Sequence, residues 1–335
     1  MAKISTKERV LSLLDTHKGV YYSGQELADE LSVSRTAIWK AINSLREEGY
    51  GIKGSTKLGY ALDDSTDVLS RESIAGGLDE EAKVFYDIET FKITDSTNAQ
   101  LRIRGLDGAK EGLCFIAEEQ TAGRGRKGRS FYSPDSTGLY LSILLRPELN
   151  IEDAILITTA AAVAASKACE LTNETLKKGD VRIKWVNDLF VRNKKFCGIL
   201  TEANLSLETH GLDFAVLGIG FNLAPPKGGW PENIADIAGT LFEKESLPGS
   251  RNTLAAAFLN EFLKIYKTLP EVSYLNEYRS RLLGVGESVK VLEPDGAFKM
   301  ATVKGVTDRC ELIVTYEGEN DEVILNSGEI SIKLN

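Results

Sequence analysis

The pattern of apolar and polar positions in the first fifty residues predicts three helices. Apolar residues recur every three or four positions, and Ser-x-x-Glu capping boxes beginning at Ser5 and Ser23 mark the starts of the first two helices. Ser34 is placed to cap the third helix, and only two residues separate it from the end of the second helix. Such a short connection requires a tight turn, so the segment from about Ser23 to Ile42 predicts a helix-turn-helix.

Residues 51–62 predict a β-hairpin wing, because two short alternating runs flank a tip of Gly, Ser, Thr and Lys. Between Ser34 and Tyr60 there are five cations and two acids, whereas the whole chain has a net charge of −9. A basic winged helix-turn-helix favours local DNA binding, and a three-helix protein-interaction module is the alternative. The predicted contacts to base edges and phosphates are Ser34, Arg35, Thr36, Lys40, Lys53 and Lys57.

An acidic stretch follows the wing. Residues 61–82 contain seven acids and one arginine. We therefore expect an exposed acidic linker at 64–82, with one short helix around residues 71–75. Such a linker would let the DNA-binding head, residues 1–63, change its pose relative to the rest of the chain.

Two polar motifs lie in the middle of the chain. Residues 94–98, Thr-Asp-Ser-Thr-Asn, stand between a strand-like and a helix-like segment, where they either cap the helix or contact a compact polar ligand. Residues 118–129 end in four cations and three glycines between Gly123 and Arg129. Glycines permit close approach to a ligand and arginines bind phosphate with paired donors, so we expect a loop that is mobile until anions neutralise it. The alternatives are a solvated loop and an arginine patch for RNA.

Two strand-like motifs complete the set. Residues 181–191 alternate so that Lys184 and Trp185 lie on opposite faces of a strand. The lysine either contacts a ligand or reaches solvent from an edge strand. Residues 196–202 and 216–222 are runs containing glycine, which either admit a ligand close to the sheet backbone or form an ordinary core of small residues.

The order and the amino-acid sequences of these motifs resemble those of the biotin–protein ligases. The matching segments read Asp-Ser-Thr-Asn, Glu-Gln-Thr-Ala-Gly-Arg-Gly-Arg-Lys-Gly-Arg, Lys-Trp-x-Asn-Asp, Gly-Ile-Leu-x-Glu and Gly-Ile-Gly-x-Asn. With the winged head in front, the chain resembles the bifunctional bacterial ligase/repressors, the BirA family, along essentially its whole length. Two departures occur, since Val186 stands where the family often has Pro and Phe131 stands where Trp is usual.

The resemblance implies roles for individual residues. Those implied to bind biotin are Ser96, Thr97, Asn98, Gln120, Arg124, Gly125, Arg126 and Lys184. Those implied to bind ATP or the adenylate are Arg126, Lys127, Arg129, Lys184, Asn187 and Asn222. Lys184, Arg124 and Arg126 are the candidate catalytic residues, because a carboxylate that attacks a phosphate needs cations to offset the repulsion. Mg²⁺ is implied as well, but the sequence names no metal ligand.

The resemblance also implies an activity and partners. The enzyme would form biotinyl-5′-AMP from biotin and ATP and pass biotin to a lysine of a biotin carboxyl carrier protein. The retained adenylate would act as corepressor by favouring a homodimer on palindromic operator DNA, which represses the genes of biotin synthesis and uptake. The alternatives are a biotin-sensing transcription factor without ligase activity, a ligase whose head does not bind DNA, and a lipoate ligase, which shares the fold.

The expected fold is multidomain α+β. A winged helix-turn-helix precedes a class II synthetase-like α/β domain with a mixed sheet at 83–284, and an SH3-like β-barrel occupies 285–335. The barrel follows two helical stretches, and its role is either to support ATP and acceptor binding or to be a structural cap. Its predicted strands are Ser288–Leu292, Met300–Val306, Glu311–Tyr316, Glu322–Leu325 and Ile330–Leu334.

Composition narrows the chemistry. The four cysteines form no Cys-x-x-Cys pair, which predicts free thiols in a reducing compartment. Two histidines in separate regions argue against a histidine-based triad or a multi-histidine metal site. The chain has neither a run of eighteen apolar residues nor an export signal at its N-terminus, so we expect a cytoplasmic protein that does not enter a membrane.

Overall fold

The computed structural model describes residues 5–63, 66–67, 69–205, 211–243, 249–292, 297–326 and 330–331. The chain folds as two units. Residues Met1–Leu78 and Ser246–Ala256 form the first, and residues Asp79–Glu245 and Ala257–Asn335 form the second. The limits predicted at residues 63 and 284 stay predictions.

The first unit contains the three helices predicted for the head. Ser5 and Ser23 both form capping boxes, in which the serine hydroxyl accepts from the backbone three residues later and a glutamate accepts in return. Gly49, at φ +97°, follows the end of the third helix. The helices are α1 (Thr6–Thr16), α2 (Gly24–Glu30) and α3 (Arg35–Glu47).

The wing is an antiparallel pair of strands, β1 (Ile52–Ser55) and β2 (Gly59–Leu62), as predicted. Gly59 has a φ of +97°, and a Cβ there would overlap the carbonyl oxygen of Tyr22, so this position requires glycine. Apolar side chains from all three helices and both strands share one buried core, so the wing is packed against the helices rather than hanging free.

The short helix expected around residues 71–75 is present, whereas the linker expected to be exposed over 64–82 is partly buried where the structure describes it. Two helices lie in this region, α4 (Arg71–Gly76) and α5 (Glu80–Phe85), and Ile74 is completely buried. The Asp67 carboxylate accepts from Nε of the buried Arg251 at 2.9 Å, which fixes the connection to the start of a later helix of the same unit. The few apolar residues between the acids are buried and hold the segment against the protein. The high proportion of acidic residues had suggested that the whole segment was exposed.

The second unit is built on a seven-stranded sheet. The strand order is β3-β4-β5-β9-β8-β7-β6, and only the β3–β4 pair is parallel among the described strands, so the predicted mixed sheet is confirmed. Consecutive residues of β5 and β9 are buried, which means that both faces of the sheet are covered at its centre. The strands are β3 (Asp87–Thr94), β4 (Leu113–Gln120), β5 (Gly138–Leu145), β6 (Arg182–Lys184), β7 (Asp188–Val191), β8 (Lys194–Leu205) and β9 (Leu212–Asn222).

Helices cover the sheet. The segment Ile151–Thr172 is long and apolar enough to cross a membrane by length and composition, but 72% of its most apolar window is buried inside the protein. Burial inside a folded unit is what a core helix shows, and the helix packs on β7, β8 and β9. Besides α5, the helices are α6 (Thr97–Leu106), α7 (Ala154–Thr172), α8 (Ser250–Tyr266) and α9 (Leu275–Arg281), and residues 250–256 of α8 belong to the first unit.

The C-terminal part is a five-stranded antiparallel sheet in the order β13-β12-β11-β10-β14. The sequence predicted an SH3-like barrel here, and the β-rich domain is confirmed. The first four strands begin and end within two residues of their predicted limits. The predicted end of the fifth strand at Leu334 lies outside the described residues. The strands are β10 (Ser288–Leu292), β11 (Phe298–Val306), β12 (Leu312–Tyr316), β13 (Val323–Leu325) and β14 (Ile330–Ser331).

Candidate ligand-binding cavity and DNA-binding face

A cavity of about 200 Å³ opens in the second unit, between the start of α6, the loop after β4 and the ends of the central strands. The structure brings nearly all predicted ligand residues together there. The predicted residues that line it are Ser96, Thr97, Asn98, Gln120, Arg124, Gly125, Arg126, Lys127, Arg129, Lys184 and Asn187. Asn222 is the exception, because it ends β9 opposite Gly138 and does not line the cavity.

The Ser-Thr-Asn motif both caps a helix and lines the cavity, so the two readings of residues 94–98 are compatible. Ser96 is the N-cap of α6, and its hydroxyl accepts from the backbone N–H of Ala99. The backbone N–H and the hydroxyl of Thr97 both donate to Gln120 Oε1, at 2.9 and 3.1 Å. Gln120 Nε2 donates in turn to Ser133 Oγ at 3.1 Å, so the amide of Gln120 has a fixed orientation.

Ser142 is a cavity residue that sequence reasoning missed. It is fully buried in β5, and its hydroxyl oxygen lies 2.6 Å from Asn98 Oδ1 and 2.7 Å from Thr97 Oγ1. A serine among the hydrophobic side chains of the run Gly138–Leu145 was the only signal in the sequence. Ser142 thus fixes the positions of the Thr97 hydroxyl and the Asn98 carbonyl from the sheet side of the cavity.

The sheet glycines make room for cavity side chains. A Cβ at Gly218 would overlap Asn98 Oδ1, and a Cβ at Gly220 would lie 2.5 Å from the ring of Phe131. The expectation that these glycines leave the strand backbone open to a ligand is therefore only partly correct. They seat Asn98 and Phe131, which then form the cavity wall.

The glycine–arginine loop is folded back on itself. Isolated β-bridges join Gln120 to Ser133 and Arg124 to Ser130, and the backbone N–H of Gly125 donates to the Arg129 carbonyl at 2.7 Å. Its tip is one turn of 3₁₀ helix, Arg126–Gly128. The hairpin form places the cationic tip at the cavity, and its mobility stays a prediction.

Cationic groups converge on the cavity next to the neutral polar motif. Arg126 Nη1 donates to Asn187 Oδ1 at 3.0 Å, and Asn187 Nδ2 donates to the Ile199 carbonyl at 2.8 Å. Only Asp188 among the cavity-lining residues is acidic, so the cavity favours anions. The cations lining the cavity are Arg124, Arg126, Lys127, Arg129, Lys184 and Lys195.

Lys195 is the second residue that the sequence did not reveal. Its ammonium group lies 2.7 Å from the Asp188 carboxylate, above Gly198, where a Cβ would approach Lys195 Nζ to 3.5 Å. The sequence pattern placed the start of this strand at Phe196, whereas β8 begins at Lys194. The lysine therefore lay outside the predicted strand, although it lines the cavity beside Gly198.

The cysteines do not supply a nucleophile. All four are buried and unpaired, which confirms the prediction of free thiols. Burial raises the pKa of the Cys169 and Cys197 thiols well above the ordinary range, so neither is a thiolate near neutral pH. Within the described ranges, no three His, Cys, Asp or Glu side chains cluster closely enough to hold a metal ion.

The residues predicted to bind DNA lie on one exposed side of α3 and on the wing. Arg35, Thr36 and Lys40 are exposed, and Trp39 between them is 56% exposed. Ser34 caps α3, and its side chain accepts from Ala37 N. On the wing Lys57 is exposed, whereas the ammonium group of Lys53 lies 2.8 Å from the Asp63 carboxylate, which reduces its availability to phosphate.

Comparison with known proteins agrees with both halves of this arrangement. Residues 6–61 match a helix-turn-helix (HTH) domain, and residues 90–222 match the biotin/lipoate A/B protein ligase family. The bifunctional ligase/repressor BirA of Salmonella typhimurium is 31% identical over 263 residues, which cover 78% of this chain and 78% of that protein. The chain belongs to the bifunctional ligase/repressor family.

Other members and structures extend this similarity. The bifunctional ligase/repressor BirA of Bacillus spizizenii is 29% identical over 320 residues, 93% of this chain and 95% of that protein. The structure of biotin protein ligase from Aquifex aeolicus in complex with biotin and ATP superposes with a TM-score of 0.57 at 26% identity. It covers 74% of this chain and 98% of the Aquifex protein. Family membership therefore rests on nearly the whole chain, including the head.

Proposed function

We propose that this chain is an ATP-dependent biotin–protein ligase and a DNA-binding repressor that acts in the cytoplasm. The observation that supports the ligase most strongly is the cavity, in which neutral hydrogen-bonding groups on one side meet a cluster of cations on the other. Biotin has the same division, since a polar, uncharged ring system is joined by an apolar tail to a carboxylate.

The neutral side of the cavity suits the ring system of biotin. Thr97 and Gln120 are held by each other, and the Asn98 carbonyl is held by Ser142, so the donors and acceptors need little reorganisation when the ring binds. Phe131 supplies an apolar wall above the sheet glycines, in the place where the family usually has Trp. The ring would therefore bind between Phe131 and the Ser-Thr-Asn motif.

The cationic side suits the reaction. The carboxylate of biotin attacks the α-phosphorus of ATP, the bond to pyrophosphate breaks, and biotinyl-5′-AMP forms. Two anions must meet in this step, so Arg126, Lys184 and Lys195 lower the barrier by stabilising charge on the phosphate and on the leaving pyrophosphate. Because the substrate supplies the nucleophile, no activated protein side chain is required.

The residues present also fit the Mg²⁺ that usually accompanies ATP. Magnesium is commonly held by one or two carboxylates together with phosphate oxygens and water. Asp188 is the carboxylate that lines the cavity, and it would hold the ion near the phosphates while Lys195 remains beside it. The ion would supply further neutralisation of phosphate charge.

The second half-reaction transfers biotin. The acceptor is a lysine of the biotin carboxyl carrier protein of a biotin-dependent carboxylase. Its free amine attacks the carbonyl carbon of the mixed anhydride and releases AMP. When the acceptor is scarce, the adenylate stays bound and favours a homodimer. The two heads of that dimer place α3 in successive major grooves of a palindromic operator, so the adenylate acts as corepressor.

The ligase proposal is tested by pyrophosphate release with biotin and ATP. Lys184→Ala and Lys195→Ala each remove a cavity cation, and we expect each to lower the rate of adenylate formation on the order of a hundredfold with little loss of folded protein. Unchanged rates in both variants would refute the assigned chemistry. Competition between biotin and lipoate distinguishes this enzyme from a lipoate ligase, and labelling of the carrier distinguishes it from a transcription factor that only senses biotin.

The repressor proposal is tested by DNA binding. A duplex that the protein binds is first selected from random sequences in the presence of biotin and ATP. We expect binding to this duplex to tighten when biotin and ATP are added together. An affinity indifferent to both compounds would contradict the corepressor role, and a head that selects no duplex would leave a ligase without DNA binding.

A further inference from the structure

Glu202 joins two parts of the cavity wall that belong to different elements. It lies on β8, and its side chain is 27% exposed. Its Oε2 accepts from Asn98 Nδ2 at 2.9 Å, and its Oε1 accepts from Arg124 Nη1 at 3.4 Å. One carboxylate therefore contacts both the Ser-Thr-Asn motif at residues 96–98, here called the biotin motif, and the glycine–arginine loop.

At the first of these contacts, Glu202 fixes the direction of an amide. Asn98 is 5% exposed, and its Oδ1 lies 2.6 Å from the Ser142 hydroxyl. An ionised carboxylate can only accept hydrogen bonds, so the NH₂ group of Asn98 must point towards Glu202 and its carbonyl towards Ser142. Without the carboxylate, the donor of a nearly buried amide would lose its strongest partner.

At the second contact, Glu202 neutralises the first arginine of the loop. The Arg124 side chain is 49% exposed, and its backbone pairs with Ser130 across the loop. Arg126, two residues further on, donates to Asn187 Oδ1. Arg124 thus meets a carboxylate at the edge of the biotin-binding motif, and Arg126 donates to an amide that lines the cavity.

We propose that Glu202 is a positioning residue that ties the glycine–arginine loop to the biotin motif through Arg124 and Asn98. In this arrangement Arg124 acts as a tether, and stabilisation of the reacting phosphate falls to Arg126 and the cavity lysines. The inference rests on the proposed ligase function, but loop attachment can be measured in the free protein without any substrate.

The chain offers a matched control on β9, the strand that pairs with β8. Asp213 on β9 also accepts from an amide, Asn204 Nδ2 at 3.3 Å, and from an arginine, Arg146 Nη1 at 3.3 Å. Neither Asp213 nor Arg146 lines the cavity. Asp213→Asn therefore removes a comparable ion pair and leaves the loop attachment intact.

The first test measures cleavage after Lys127 at the loop tip by a lysine-specific endoproteinase in the free protein. Glu202→Gln keeps an acceptor for Asn98 but loses the charge that holds Arg124, so cleavage should be about two- to fivefold faster, as suits a half-exposed ion pair. Arg124→Gln should give the same increase, and the double variant should give no more. Asp213→Asn should cleave like the unaltered protein.

The second test separates the two contacts by steady-state kinetics. Glu202→Gln should change the KM for biotin by less than about twofold, whereas Glu202→Ala should raise it about tenfold, because the Asn98 amide then loses its charged partner. Unaltered cleavage and KM in Glu202→Ala, or additive cleavage effects in the double variant, would overturn the inference. If the unaltered protein forms no adenylate, the proposed function fails, and the cleavage experiment still decides whether the tether exists.

Discussion

The cavity and the exposed side of α3 hold their polar groups in opposite ways. In the cavity, Gln120 donates to Ser133 and Arg126 donates to Asn187, so the binding groups are already fixed by protein partners. On α3, Arg35 and Lys40 form no ion pair within the part of the chain that the structure describes. We therefore expect the cavity to bind a small ligand with preorganised groups, and the helix face to order its side chains only when DNA binds.

The difference has a measurable consequence. A substitution in a preorganised network disturbs several groups together, but a solvated cation on a helix contributes one phosphate contact. We therefore expect large effects from single changes in the cavity and small, salt-dependent effects from single changes on the head.

The largest effect is expected for Arg126→Ala. The change removes a cation from the cavity and leaves Asn187 without its donor, so the rate of pyrophosphate release should fall about 100- to 1000-fold. Lys92→Ala, which removes an exposed cation of β3, should leave the rate unchanged. A comparable loss in both variants would show that net charge matters and that the placement of Arg126 does not.

The next largest effect is expected for Gly218→Ala. The new methyl group would overlap Asn98 Oδ1, so the KM for biotin should rise about 10- to 100-fold as the amide is displaced. Gly228→Ala is the control, because a Cβ there meets nothing within 4 Å. A normal KM in Gly218→Ala would mean that Asn98 can move without cost, which contradicts a preorganised cavity.

Lys40→Ala on α3 should have a moderate effect. The affinity for the selected duplex should fall about fivefold, and the slope of its logarithm against the logarithm of salt concentration should decrease by about one. Pyrophosphate release should not change. A loss of affinity far larger than this would show that the head is as tightly ordered as the cavity.

Lys53→Ala on the wing should have the smallest effect. Because Asp63 already neutralises this lysine, removal should weaken DNA binding by less than about twofold. Asp63→Asn should in turn strengthen binding slightly, since it releases Lys53 to a phosphate. Titration of the same duplex with both variants measures these affinities. A large loss of affinity in Lys53→Ala would show that the ion pair with Asp63 opens when DNA binds.

The sequence predicted the head in detail because its signals are local. The capping boxes at Ser5 and Ser23 and the two-residue spacing before Ser34 each involve residues that lie within a few positions of one another. Their hydrogen bonds form wherever the helices form. The signal for the wing was equally local, because its two strands are joined by a short turn that ends at Gly59.

The cavity was predicted only as a set of motifs, because its contacts join distant parts of the chain. Ser142 meets Thr97 across 45 positions, and Glu202 meets Asn98 across 104. These contacts depend on β5 and β8 both pairing with β9, a strand order that no local pattern specifies. Lys195 was missed for a smaller reason, since the predicted strand began one residue after it.

The central claim is that this cavity makes an acyl-adenylate and retains it. The most direct measurement is native mass spectrometry of the purified protein after incubation with biotin, ATP and Mg²⁺ in the absence of an acceptor protein. We predict a mass increase corresponding to one biotinyl-5′-AMP per chain, together with one equivalent of pyrophosphate released. A protein that keeps its original mass and releases no pyrophosphate would contradict the account.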